Sequence, residues 1–157
     1  MKEQKTNVMR LLEQKKIAYT KHEYPHEGEA VDGETVARLI GRDPACVFKT
    51  LVTAGASRTN YVFVIPVLKE LDLKKAAKAA GEKSIAMIPA RDITPLTGYV
   101  RGGCSPVGMK KQLKTIFDAS ALRQSAIIVS AGKIGAQVEC APDALLLLTR
   151  GIYADVT

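Results

Sequence analysis

Apolar positions recur along the chain with two different periods, and the changes between them mark its elements. Val8, Leu11 and Leu12 form a stripe at helical spacing behind Thr6 or Asn7, either of which can cap a helix over 7–16. From 17 to 24, β-forming residues mix with polar ones and the run stops at Pro25, which predicts a half-exposed strand. The segment 25–33 is acidic and turn-like. Val36, Ala37, Leu39 and Ile40 supply the buried side of a second helix that follows Asp32-Gly33 and stops at Gly41. After Pro44, the run Val47-Phe48-Lys49-Thr50-Leu51-Val52 reads as a strand covered largely on both faces. A turn over 55–60 joins it to a partner strand over 61–67, a β-hairpin.

Asp72 is placed to cap a helix over 73–80, closed by Gly81, with Lys74, Lys75 and Lys78 as a basic stripe. A short strand over 84–88 and a short helix or turn over 91–97 lead into the glycine-rich segment 98–108. Strands are expected near 114–118, 126–130 and 136–140. Pro142 suits the first turn of a last helix over 143–149. Helices and strands interleave, yet several strands are joined by short turns. The pattern therefore predicts an α+β, or mixed α/β, single domain over 1–157, its mixed sheet built on antiparallel pairs and not doubly wound.

Composition narrows the partners more than the fold. A length of 157 residues suits one domain, and 46% hydrophobic with 25% charged residues is ordinary for a globular chain. Lys plus Arg number 23 against 16 Asp plus Glu, a net charge of +7 that favours a polyanionic partner. Aromatics make up only 5% and Trp is absent, which argues against a broad stacking platform for single-stranded nucleic acid. No apolar run approaches a membrane span. No apolar signal core follows Met1-Lys2-Glu3-Gln4-Lys5, so a cytoplasmic protein is expected. Cys46, Cys104 and Cys140 are odd in number and widely spaced, which fits a reducing compartment and disfavours a zinc ribbon.

Several familiar chemistries lack their residues. His22 and His26 are separated by Pro25 in a segment that is not helical, so no metal site is expected. With only two histidines a Ser-His-Asp triad is poorly supported. Gly132-Lys133 lacks the earlier glycine and following Ser or Thr of a phosphate-binding loop. Lys49 stands out because it interrupts an apolar strand: it either lines a pocket as a cation or lies at an edge with its stem buried. Ser130 ends another apolar strand, facing the same cavity or bonding to its own turn. Without a nearby base it reads as a hydrogen-bonding group and not a nucleophile. The glycines of 98–108 either permit turns or bring backbone amides close to a ligand.

Four segments together are similar to one family. Phe48-Lys49-Thr50-Leu51 and Leu71-Asp72-Leu73-Lys74-Lys75-Ala76-Ala77-Lys78 resemble motifs of the YbaK/EbsC-type trans-editing proteins. So do Thr97-Gly98-Tyr99 with Gly102-Gly103, Ser105-Pro106 and Gly108, and Val129-Ser130-Ala131-Gly132-Lys133 with Gly135, Val138-Glu139 and Ala141-Pro142. The order is preserved over nearly the whole chain, and Ala131 stands where a glycine is often found. The resemblance is closest to the YbaK subgroup of Cys-tRNA(Pro) deacylases, relatives of the editing insertion in bacterial prolyl-tRNA synthetase. It implies a curved sheet or small barrel surrounded by helices, and clearance of mischarged Cys-tRNA(Pro) without cofactor or metal. The implied partners are tRNA and prolyl-tRNA synthetase, not DNA or a membrane, with a monomer expected.

The same resemblance implies that Lys49 lies near the terminal adenosine and its phosphate. It implies that Tyr24 walls the pocket, that the Gly102 backbone holds the aminoacyl group and that Ser130 hydrogen-bonds it. Thr50, Gly103, Ser105, Pro106 and Gly132 are implied substrate-binding positions, and Lys74, Lys75 and Lys78 candidate phosphate contacts. It further implies attack by the thiol of the substrate cysteine. The alternatives are a deacylase for Ala or Ser esters, a non-catalytic tRNA- or synthetase-binding module, and a thioesterase using Cys104, with Cys46 a candidate nucleophile of similar standing.

Overall fold

The computed structural model describes residues 5–157; Met1 to Gln4, the start of the segment read for a signal core, lie outside the described residues. Helix α1 (Asn7–Gln14) begins where the Thr6 hydroxyl accepts the Met9 N–H and buries Val8, Met9 and Leu12. Strand β1 (Thr20–Glu23) is shorter than the apolar pattern suggested. Helix α2 (Gly33–Ile40) is capped by Asp32 and closed by Gly41 in the left-handed conformation that glycine adopts most readily. Hairpin strands β2 (Phe48–Gly55) and β3 (Asn60–Pro66) precede α3 (Leu73–Ala80), which the Asp72 carboxylate caps. Then follow β4 (Ile85–Met87), α4 (Ile93–Thr97), β5 (Lys114–Asp118), β6 (Ile127–Ser130), β7 (Ala136–Cys140), α5 (Pro142–Thr149) and β8 (Ile152–Ala154).

The strands form two sheets. One has the order β1-β7-β6 and is antiparallel throughout; the other, β4-β2-β3-β5-β8, is mixed. In the larger sheet β5 runs parallel to both β3 and β8. Neither sheet closes on itself, so the architecture is α+β with two open sheets and not the barrel that the resemblance allowed. An isolated parallel bridge, Val47 to Ile128, joins them, and Ala37 of α2 packs with that pair.

Strand β3 is buried along nearly all its length because it sits between two cores. Val62 and Val64 face the main core, with Val8 and Leu12 of α1, Phe117 of β5 and Val129 and Val138 of the smaller sheet. Tyr61, Phe63 and Ile65 face a second core closed by Ala76 and Ala77 of α3, whose small side chains let the helix lie close. The chain end is fixed by Asp118: its buried carboxylate accepts the Val156 N–H at 3.0 Å and the Ser120 N–H at 3.2 Å. No helix among the described residues is long and apolar enough to cross a membrane.

Candidate active site

β4 pairs with β2 only at Thr53 to Gly55, and no strand covers the outer edge of 48–51. A cleft of about 300 Å³ opens along that edge. It brings together residues far apart in sequence: Tyr24 beyond β1, Lys49 and Thr50 on β2, Gly102 in the glycine-rich loop and Ser130 at the end of β6. The register sets Lys49 opposite Ile65 and Thr50 opposite Val64. Lys49 is half-buried, as its place in an apolar strand suggested, and forms no ion pair with any described residue. Arg101 adds a second cation to the lining, and no His, Asp or Glu lines the cleft. The site is therefore set up for an anion, and no imidazole or carboxylate among the described residues lines it to act as a general base.

The polar groups of the cleft differ in how far they are already satisfied. Thr50 Oγ1 is the one buried side-chain oxygen or nitrogen without a hydrogen-bond partner among the described residues. The Ser130 hydroxyl oxygen accepts the Gly132 N–H at 3.2 Å. Gly102 has φ +85°, and a β-carbon there would lie 2.6 Å from the Ala30 β-carbon and 2.9 Å from its Cα, so only glycine fits.

Four other expected positions do not line the cleft. A β-carbon on Gly103 would stand 3.0 Å from the backbone of Lys133 and Ile134, so this glycine lets the two loops touch. Ser105 is fully buried and its oxygen accepts the Val107 N–H at 3.3 Å; Pro106 is buried beside it. Gly132 packs against the Tyr99 ring and Val8. Ala131, the departure from glycine, is buried in the main core. Lys74, Lys75 and Lys78 are also absent from the lining, and the Lys75 amine meets Asp155 at 3.1 Å and the Thr157 backbone oxygen at 2.8 Å.

Two polar side chains of the cleft, Gln137 and Arg101, are not among the positions expected from the sequence. Gln137 is buried and polar within β7, opposite His22, and a polar residue inside an apolar strand was the available signal. Arg101 was passed over as part of a glycine loop.

The cysteines are poorly suited to attack. Burial pushes the Cys104 thiol up to about 11, with a hydrogen bond from Thr97 opposing only in part. Cys140 is likewise raised to about 11 by burial and Glu139. Cys46 is raised by burial, Glu139 and Asp43. The histidines make separate contacts. His22 Nε2 lies 2.7 Å from Glu139, which Arg42 also meets at 3.2 Å, while His26 Nδ1 accepts the Gly28 N–H at 3.0 Å. Among the described residues no group of three or more His, Cys, Asp or Glu could hold a metal ion.

Comparison with known proteins identifies the family and the fold. The profile of the aminoacyl-tRNA editing domain family matches residues 27–148. A curated protein of Enterococcus faecalis, EbsC, named as a candidate Cys-tRNA(Pro)/Cys-tRNA(Cys) deacylase, is 49% identical over 155 residues, covering 99% of this chain and 94% of its own. A crystal structure described as a candidate trans-editing enzyme for prolyl-tRNA synthetase superposes with a TM-score of 0.81 at 25% identity, over 96% of this chain and 94% of that one. Another, of a protein called hypothetical, gives 0.84 at 23% identity over 95% and 97% and shows the fold alone.

Proposed function

The chain belongs to the aminoacyl-tRNA editing domain family, and from that premise we propose that it removes cysteine from mischarged Cys-tRNA(Pro), acting in trans beside prolyl-tRNA synthetase. Cysteine enters a proline pocket because small size differences discriminate by only about 1–3 kcal/mol, so a second, hydrolytic sieve is needed. The likeness to a Cys-tRNA deacylase over nearly the whole chain supports cysteine as the amino acid. The observation that carries the reading is the convergence of Tyr24, Lys49, Thr50, Gly102 and Ser130 on one carboxylate-free cleft.

Each group has a role that its chemistry supports. Lys49, with Arg101 beside it in the lining, attracts the phosphate of the terminal adenosine and orients the ester. The unpartnered Thr50 hydroxyl gains a partner when substrate enters, which favours binding because its isolated burial costs about 1–3 kcal/mol. The Gly102 backbone approaches the aminoacyl group where no side chain would fit. Tyr24 closes the pocket beside it. Gly103, Ser105, Pro106 and Gly132 hold the two loops in place.

The attacking group belongs to the substrate. The sulfur of the esterified cysteine, as thiolate, adds to its own ester carbonyl carbon. The tetrahedral oxyanion collapses with expulsion of the ribose oxygen, which takes up a proton and leaves free tRNA and a cyclic thiolactone. The protein has only to hold sulfur and carbonyl together and stabilise the oxyanion with Ser130 and backbone donors. A cleft without His, Asp or Glu, and with Cys104 held as a thiol, supports this division of labour. The test is a deacylation panel on tRNA(Pro) charged with Cys, Ala, Ser or Pro, with and without prolyl-tRNA synthetase. Rapid loss of Cys alone is expected, and equal loss of Ser would exclude the substrate-thiol mechanism.

A further inference from the structure

A second, more open cleft of about 500 Å³ meets the first at Tyr24, which lines both. His26, Val100 and Lys133 also line it. The two clefts share a wall as well as a residue. Val100 lines one and Arg101 the other, and the Gly103 and Lys133–Ile134 backbones touch just beyond.

The lining has what a nucleotide needs. The Tyr24 and His26 rings lie edge to face, with centroids 6.4 Å apart and planes at 65°. Because Nδ1 of His26 accepts the Gly28 N–H, the neutral ring carries its proton on Nε2. A β-carbon on Gly135 would lie 2.4 Å from the His26 ring, so that glycine is what lets the imidazole lie against the loop. Val100 is exposed and apolar. Lys133 forms no ion pair with a described residue; the one carboxylate in the lining, Glu23, is met by Lys21 at 2.6 Å and feels the Lys133 charge only as a smaller, longer-range effect. An exposed imidazole held edge-on by a buried tyrosine, an apolar side chain and a cation without an ion pair together suit an unpaired base with its phosphate.

We propose that this second cleft is the subsite for the nucleotide that precedes the terminal adenosine of the acceptor end. The assignment rests on the deacylase reading, which puts the terminal adenosine in the first cleft. A polynucleotide leaving that cleft past Tyr24 then enters the second, where the exposed His26 ring, braced by the buried Tyr24, receives the base and Lys133 the phosphate.

Two substrates separate the subsite from the catalytic cleft: a cysteinylated acceptor-stem microhelix with its single-stranded end, and 3′-O-cysteinyl-adenosine. Lys133→Ala is expected to raise KM for the microhelix about tenfold with kcat unchanged, and to leave turnover of cysteinyl-adenosine as in the wild type. Lys133→Arg should restore the microhelix KM. An equal effect of Lys133→Ala on both substrates, or none on either, overturns the subsite. Wild-type protein that releases cysteine from neither substrate overturns the deacylase reading and the subsite with it.

Discussion

The Ser130 hydroxyl oxygen accepts the N–H of Gly132, two residues on, at 3.2 Å in a turn where Gly132 has φ +99°. One lone pair of that oxygen is thus occupied by its own backbone, and the O–H proton remains available to the cleft. Ser130 is set up as a donor. Ser130→Ala should slow Cys-tRNA(Pro) deacylation about a hundredfold to a thousandfold through loss of one oxyanion donor. Acid quenching and mass spectrometry of the wild-type reaction should find no cysteinyl-enzyme, and a trapped ester on Ser130 would refute the donor role.

Lys49 meets the substrate as a charge in a half-buried setting, so its removal should be felt in binding and in turnover. Lys49→Ala is expected to lower kcat/KM about a hundredfold. Measured against salt, the slope of log KM should also shallow by about one counterion. Wild-type rates in that variant would mean that the cleft beside β2 is not the site.

Cys104 lines the same cleft, yet with its thiol pushed up to about 11 roughly one molecule in ten thousand is ionised at neutral pH. Cys104→Ser should therefore keep most of the wild-type deacylation rate, within about threefold, with an unchanged pH profile. Complete loss in a folded variant would make this cysteine the nucleophile.

The parts of the fold that local chemistry dictates were legible in advance, as α3 shows: an Asp72 cap, a run of alanines and lysines, and Gly81 in the left-handed region define it without reference to the rest of the chain. β8 was not legible. Ile152–Ala154 is three residues long and becomes a strand by pairing in parallel with β5, more than thirty residues earlier. The division into two sheets depends on similarly distant partners. Within the site, Lys49 and Ser130 could be suspected because each interrupts or ends an apolar run. Gln137 carries the same kind of hint as a polar residue inside an apolar strand, but its place in the cleft follows only from the register of β7 against β1. The lysines of α3 show the complementary limit: a basic stripe reveals its charge but not where it lies relative to the cleft, whose lining does not include it.

Gly102 is expected to tolerate no side chain. Gly102→Ala puts a β-carbon against the Ala30 backbone at 2.9 Å and strains a residue at φ +85°. A destabilisation of about 1–3 kcal/mol in urea unfolding should accompany loss of deacylation. Equal stability and activity would show that the loop relaxes without cost.

Burial pushes the Glu139 carboxyl up, but His22 and Arg42 outweigh it and hold the group below its ordinary value of 4.5. A carboxyl depressed in the folded state adds stability that is present above its unfolded value and lost as pH falls through its folded one. Acid unfolding should therefore steepen below about pH 4.5, and Glu139→Gln should flatten that limb in thermal melts across pH 3–6. An identical pH dependence in the variant would show that the contacts with His22 and Arg42 contribute nothing.

The bridge between Val47 and Ile128 is the one point among the described residues at which the two sheets pair, and both bridge elements border the first cleft, with Lys49 and Thr50 on one sheet and Ser130 and Gln137 on the other. Neither half-molecule contains a usable fragment of the site. The cleft is therefore assembled only when both sheets have formed and docked, so its completion is one of the last events that the fold requires.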